Sequence, residues 1–201
     1  TVTTGVWARA ILSEEYGVEL NTINWAVTDE EHVAEFQLPE NVDPSYRGRD
    51  LNSMFENEEI VGAVGSLVNP PDYVKPLISD PQTKGFESFR RTGLYPINHT
   101  VVIHLDTISQ HPDLPKQLFE ALSLSKKNYL ENLDESPEAS KEDKLTASLR
   151  NAINGDPFPY GVKKNRQALE TLCRQARLQH ITKEHFKIKD IIEPTTLLLD
   201  E

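Results

Sequence analysis

The spacing of apolar residues along the chain alternates between helical and extended patterns. Near the N-terminus, Val6, Trp7, Ala10 and Ile11 recur at the three- and four-residue intervals of a helix. The pattern predicts a helix that begins at the N-terminal threonines and ends at Gly17, which supplies a stop signal. Residues 23–28 then alternate as a short strand. A helix followed by a strand is typical of layered α/β folds.

The middle of the chain combines loops with short regular elements. Residues 29–49 are polar and contain prolines, which predicts a loop with at most one poorly formed strand around residues 34–38. Asp50 is placed to cap a short helix, and a longer helix is predicted over residues 83–90. Two continuous apolar runs, residues 60–64 and 100–103, have the character of buried strands.

Helical spacing dominates the C-terminal half. A long helix is predicted to start within residues 111–115, and residues 134–148 are charged enough to form a solvated loop or an exposed helix. Residues 155–161 place prolines and aromatic residues between glycines, which predicts a rigid extended loop. Another helix opens near Asn165, and Thr182 is predicted to cap a last short helix. The apolar positions predicted to face inward on the two long helices are Leu118, Phe119, Leu122, Tyr129, Leu130 and Leu133, then Ala168, Leu169, Leu172, Cys173 and Ala176.

Composition narrows the classes of function. The chain has 201 residues and a formal net charge of −11, which argues against a nucleic-acid backbone as partner. No apolar run is long enough to span a bilayer. The single cysteine, Cys173, excludes an internal disulfide and a cysteine-rich zinc site, and we interpret it as a packed core thiol. Because no helix-spaced histidine pair or glycine-rich phosphate loop is present, we expect chemistry without a metal or cofactor.

The densest group of polar side chains lies in residues 90–103. Arg91 can grip a carboxylate, and His99 can move a proton near neutral pH. Ordinary surface and capping roles explain the same residue types. The hydroxyls of Thr3 and Thr4 pose a similar choice, because they can cap the first helix or help its N-terminus to bind an anion.

Four stretches of the sequence resemble the 4,5-dihydroxyphthalate decarboxylase family. The first is the Thr-Gly-x-x-Pro-x-x-His motif of residues 92–99 with Arg91 before it, and the second is Asp-Pro-Phe-Pro-Tyr-Gly at residues 156–161. Residues 7–18 and 165–170 complete the set, in the same order as in the family. The resemblance covers nearly the whole chain.

The resemblance implies an α/β fold with two lobes, of the type II periplasmic-binding-protein kind. It also implies that this chain lacks an N-terminal half-lobe of on the order of 100 residues. Residues 1–95 would then form the second lobe, and residues 96–201 the returning, helix-rich part of the first. Ligands of two-lobed proteins bind between the lobes, so distant residues would converge in that cleft.

The function that the resemblance implies is non-oxidative decarboxylation of a hydroxylated aromatic dicarboxylate, a lyase reaction of aromatic compound degradation. The substrate would be like 4,5-dihydroxyphthalate, and the product like protocatechuate. We assign His99 as the general acid, and Arg91 with the helix-one hydroxyls as carboxylate anchors. The full set of expected substrate-binding residues is Thr3, Thr4, Arg91, Thr92, Tyr95, Asn98 and Tyr160.

A second interpretation is a substrate-binding protein of an ABC transporter, which would hold a small anionic organic ligand in the same cleft without changing it. The fold alone does not separate the two, since one scaffold hosts both functions. The enzyme is expected in the cytoplasm and the binding protein in the periplasm. The sequence does not determine the oligomeric state.

Overall fold

A computed structural model describes residues 2–65 and 67–200. Over these residues the fold is mostly helical, with one small parallel sheet that pairs Trp25 with Val42 and Ala26 with Asp43. This content is consistent with an α/β protein. The helices are α1 (Thr3–Tyr16), α2 (Leu51–Glu56), α3 (Pro81–Thr92), α4 (Leu105–Gln110), α5 (Leu114–Glu131), α6 (Lys141–Ile153), α7 (Val162–Leu178) and α8 (Ile188–Ile191), and the strands are β1 (Trp25–Ala26) and β2 (Val42–Asp43).

The chain folds into two compact units, and each combines segments that are distant in sequence. The first consists of Thr1–Pro81 with Leu172–His185, and the second of Gln82–Thr171 with Phe186–Glu201. The predicted division into lobes at residue 95 stays a prediction. No helix among the described residues combines the length and apolar character that crossing a membrane requires.

The first unit is built around α1. Val6, Trp7 and Ala10 are buried on one face of this helix, and Gly17 ends it in the left-handed conformation with φ of 66°. Both features were predicted from the apolar spacing. A polar contact adds to this core, because Gln179 donates a hydrogen bond of 2.9 Å to the carbonyl of Val6.

The core of the second unit lies under the start of α7. Val162, Leu169 and Ile188 form a buried cluster, and Ile97 is one of the half-buried residues packed on it. The C-terminal segment packs on this cluster through Ile192 and Leu197, and Gly161 forms an antiparallel bridge with Asp200. Burial of these aliphatic side chains, each contributing about 1.5–3 kcal/mol, stabilises the unit.

The two buried strands predicted from apolar runs are wrong. Residues 60–64 and 100–103 form neither strand nor helix. Val61 is fully exposed and Val102 is 87% exposed. A strand exists only through hydrogen bonds to a neighbouring strand, and the structure provides none for either run, so apolar composition alone was insufficient.

Other helix predictions were closer. Asp50 caps α2 by accepting a hydrogen bond from the Ser53 amide, as predicted. Residues 141–153 of the charged segment form α6, which was one of the two predicted alternatives. The predicted Thr182 cap is wrong, because the last helix begins at Ile188 with Lys187 before it. Cys173 is buried, as expected for a core thiol.

Candidate functional site

The second unit contains a groove of about 400 Å³ that brings together two of the motif segments. Such a volume is within the range of small-molecule sites, roughly 300–1,000 Å³. Its lining includes Phe89, Gly93 and Tyr95 from the first motif region, Asp156, Pro157 and Pro159 from the second, and Lys163, Lys164, Asn165 and Arg166 from the start of α7. The segments are far apart in sequence, so the fold creates the groove.

One wall is formed where α3 ends. Gly93 has φ of 70°, a left-handed conformation that suits glycine, and its amide donates a hydrogen bond to the carbonyl of Phe89. This turn directs the following residues back towards the helix. The ring of Tyr95 therefore meets Phe89 edge to face, with 6.4 Å between ring centroids. The wall offers aromatic surface that can contact a flat ring.

The opposite wall is the loop of residues 155–161. The amide of Phe158 donates to Asp156 over 2.8 Å, which closes a tight turn. Asn165 donates two further hydrogen bonds, of 2.6 Å to the Pro159 carbonyl and 3.0 Å to the Gly161 carbonyl. Side chains thus fix a loop whose prolines have no amide hydrogen to donate.

Cationic groups line the groove where α7 begins. Lys163, Lys164 and Arg166 occur in the first turns of a 17-residue helix, whose N-terminus itself favours negative charge. Lys163 lies 3.4 Å from Asp200, and Arg166 lies 3.4 Å from Glu170. Exposed ion pairs of this kind are weak, about 0–1 kcal/mol, so these cations can still bind an anionic ligand.

The sequence-predicted residues of the second unit have different placements. Tyr95 lines the groove and is 40% exposed. Thr92 donates to the Ser88 carbonyl over 2.8 Å and accepts from the Leu94 amide over 3.1 Å, so its hydroxyl serves the end of α3. Arg91 is exposed in the last turn of that helix, and neither Arg91 nor Thr92 is part of the lining of the groove.

The remaining predicted residues lie outside the lining of the groove. Asn98 and His99 are exposed in the non-regular segment that follows Tyr95. The ring of Tyr160 lies against an ammonium group, with 4.6 Å between the Lys126 nitrogen and the ring centroid. The roles assigned to these three residues stay predictions.

Thr3 and Thr4 belong to the first unit. Thr3 is the first residue of α1, and Val2 occupies the cap position without a side-chain hydrogen bond. Of the two alternatives for these hydroxyls, capping of the helix is therefore not observed. Their role as carboxylate anchors stays a prediction.

Two cationic features of the site were missed in the sequence. Lys126 follows Leu122 by four residues, so it occupies the predicted apolar face of α5, and its side chain is only 6% exposed. A lysine at a position where the helical pattern calls for an apolar residue could have indicated this buried cation. The lysine pair at 163 and 164 directly follows the proline-rich loop, where a helix start favours anions. Within the described residues, no group of three or more His, Cys, Asp or Glu side chains is arranged to hold a metal ion.

Comparison with known proteins gives one informative similarity. The chain is 28% identical to a 4,5-dihydroxyphthalate decarboxylase from Comamonas testosteroni, over 98% of this chain and 64% of that protein. The chain thus spans just under two thirds of the length of that curated relative. No protein-family model matches the chain. The similarity is that of a distant relative of a decarboxylase.

Proposed function

We propose that this chain is part of an enzyme that decarboxylates a hydroxylated aromatic dicarboxylate, of the 4,5-dihydroxyphthalate kind. The observation that carries the proposal is the similarity to a 4,5-dihydroxyphthalate decarboxylase along almost the whole chain. The groove supports it independently, because it combines aromatic surface with cations in a volume suited to one aromatic ring.

The chemistry needs a proton donor and carboxylate anchors. A ring hydroxyl para to the departing carboxylate pushes electron density onto the carbon that bears it. A proton then adds to that carbon, and the electron pair of the bond to the departing carboxylate restores aromaticity as carbon dioxide leaves. We assign His99 as the donor, since an imidazolium can give a proton near neutral pH.

The anchors would hold the carboxylate that remains. Arg91 can bind it bidentately, and Lys163 and Lys164 add positive charge at the start of α7. Tyr95 would contact the ring or its hydroxyls. Of these residues, Tyr95, Lys163 and Lys164 line the groove, whereas Arg91 and His99 lie outside its lining.

We further propose that the complete fold is two-lobed and that additional polypeptide covers part of this chain. The matched region covers 64% of the relative, so about a third of that protein's length lies outside it.

The test is to incubate the purified protein with 4,5-dihydroxyphthalate and to follow release of carbon dioxide and formation of protocatechuate. His99→Ala should reduce the turnover number at least 100-fold, in line with the contribution of a general acid. The matched control is His185→Ala, which removes an exposed histidine of the first unit and should leave turnover unchanged.

Three outcomes separate the alternatives. Absence of turnover together with binding of the dicarboxylate would favour the substrate-binding protein. Turnover that survives His99→Ala would contradict only the assignment of the proton donor. Absence of both turnover and binding would contradict the proposed function.

A further inference from the structure

Lys126 is a buried cation that makes three contacts with one loop. Its ammonium group donates 2.6 Å to Asp156 and 3.0 Å to the carbonyl of Phe158, and it lies 4.6 Å from the centroid of the Tyr160 ring. The side chain is only 6% exposed. A buried lysine is costly unless its charge is paired and its hydrogens are bonded, so these contacts are needed for the residue to be tolerated.

The three contacts alternate along the loop. Asp156, Phe158 and Tyr160, every second residue of the loop, are the residues that Lys126 contacts. Pro157 and Pro159 lie between them in sequence and line the groove. Lys126 therefore holds the loop at three points around the two prolines, and this fixes the surface that the groove presents.

The charge of Lys126 has a second consequence. Asp156 is also part of the lining of the groove. An uncompensated carboxylate there would repel an anionic ligand, whereas the Lys126 ammonium neutralises it at contact distance. The lysine thus makes one wall of the groove electrostatically compatible with a dicarboxylate.

We propose that Lys126 is a positioning residue of the groove, which fixes the loop of residues 155–161 and neutralises Asp156 so that an aromatic dicarboxylate can bind. The ligand part of this inference rests on the proposed function. The loop part does not, because it concerns contacts within the second unit alone.

The first measurement is hydrogen–deuterium exchange of a peptide that covers residues 155–161, without ligand. Lys126→Met should raise its exchange rate at least tenfold. Lys127→Met is the matched control, since Lys127 is the next residue of α5, is 66% exposed and lies 3.9 Å from Glu131. Unchanged exchange in Lys126→Met, or an equal rise in Lys127→Met, would overturn the proposal.

The second measurement is the dissociation constant for 4,5-dihydroxyphthalate by calorimetry. Lys126→Met should weaken binding at least tenfold, and the double variant Lys126→Met/Asp156→Asn should recover most of that loss because it removes the uncompensated carboxylate. A purely structural role would give no such rescue. Equal weakening in the single and the double variant would overturn the electrostatic part.

Failure of the two proposals can be told apart. If the unaltered protein binds no dicarboxylate, the proposed function fails, and the exchange measurement still decides the role of Lys126. If Lys126→Met does not fold, the double variant carries the test, because replacing both members of a buried pair is tolerated better than removing one. It should still show faster loop exchange than the unaltered protein, and unchanged exchange would overturn the proposal.

Discussion

Two motif segments of the second unit differ in how the protein holds them. The loop of residues 155–161 is bound by side chains on both sides, with Lys126 and Asn165 satisfying three of its carbonyls. The segment of residues 98–103 forms no regular structure, and its apolar side chains at 101 and 102 are 63% and 87% exposed. Both segments belong to motifs that resemble the same family.

The difference shows which sequence features are enough to order a segment without a partner that is distant in sequence. The prolines restrict the backbone of the loop locally, and hydrogen bonds from a few side chains hold it. The loop of residues 155–161 therefore has all the contacts that it needs within this chain. A strand depends on a second strand, and its hydrophobic gain comes only when a neighbour covers it. Mutations in the two regions can show whether they also differ in their contribution to the free energy of unfolding.

The largest expected difference in the free energy of unfolding is between a mutation in the buried cluster of the second unit and one in the exposed segment of residues 98–103. Leu169→Ala should lower the free energy of unfolding by about 2–5 kcal/mol, because Leu169 is 6% exposed and its removal leaves a cavity. Val102→Ala should change it by less than about 0.5 kcal/mol. Chemical denaturation measures both. A loss of more than 1 kcal/mol for the valine variant would contradict the exposed placement.

Gly161 gives the next effect, at the end of the loop. It has φ of 97°, and a Cβ atom there would lie 2.7 Å from the carbonyl oxygen of Leu199. Gly161→Ala should therefore destabilise the protein by about 1–3 kcal/mol. Gly155→Ala is the control, since its added Cβ would have no contact closer than 4.0 Å. Thermal unfolding of both variants provides the comparison, and equal melting temperatures would refute the steric account.

Asn165 should contribute less than the glycine. Asn165→Ala removes hydrogen bonds to two carbonyls of the loop, which should lower the free energy of unfolding by about 1–2 kcal/mol. Asn128→Ala changes an exposed asparagine of α5 and serves as control. If both variants unfold at the same denaturant concentration, the loop does not depend on its side-chain anchor.

The smallest expected effect is a pKa change at Asp43, whose turn resembles the one at Asp156 but has no buried lysine beside it. Asp43 accepts from the Ser45 amide over 2.8 Å, as Asp156 does from Phe158. Hydrogen bonds from the Ser45 side chain and amide lower the pKa of Asp43. Because the folded pKa is depressed, the turn is stabilised above the ordinary carboxyl pKa of about 4 and loses this stabilisation as pH falls through the lower folded pKa.

Ser45→Ala should raise the pKa of Asp43 towards its ordinary value, because the side-chain hydrogen bond is the largest cause of the shift. NMR titration of the carboxyl group measures this directly. An unchanged pKa would show that the hydrogen bond from the Ser45 side chain does not contribute to the shift.

Features that depend on neighbours in sequence could be predicted from the sequence. The first helix with its Gly17 stop and the Asp50 cap each rest on signals within a few residues. The loop of residues 155–161 was also predicted, since proline and glycine restrict the backbone locally, but the structure has bends at residues 155, 157 and 158 where an extended course was expected. Tyr95 was chosen as a site residue; it lines the groove, and its role there stays a prediction.

Features that depend on distant partners could not be predicted. The run at residues 100–103 has the composition of a strand, but composition does not reveal whether another strand pairs with it. Lys126 was missed because a single lysine on an apolar face gives no hint of the loop carbonyl and carboxylate that it meets 30 residues later. The groove itself arises only when α3, the loop and the start of α7 come together.

We expect the two motif segments to form one binding site for an aromatic dicarboxylate. Hydrogen–deuterium exchange with and without 4,5-dihydroxyphthalate measures this. The ligand should slow exchange in peptides covering residues 89–95 and 155–167, with little change elsewhere in the second unit. Protection confined to other peptides, or no protection at saturating ligand, would show that the two segments do not form such a site.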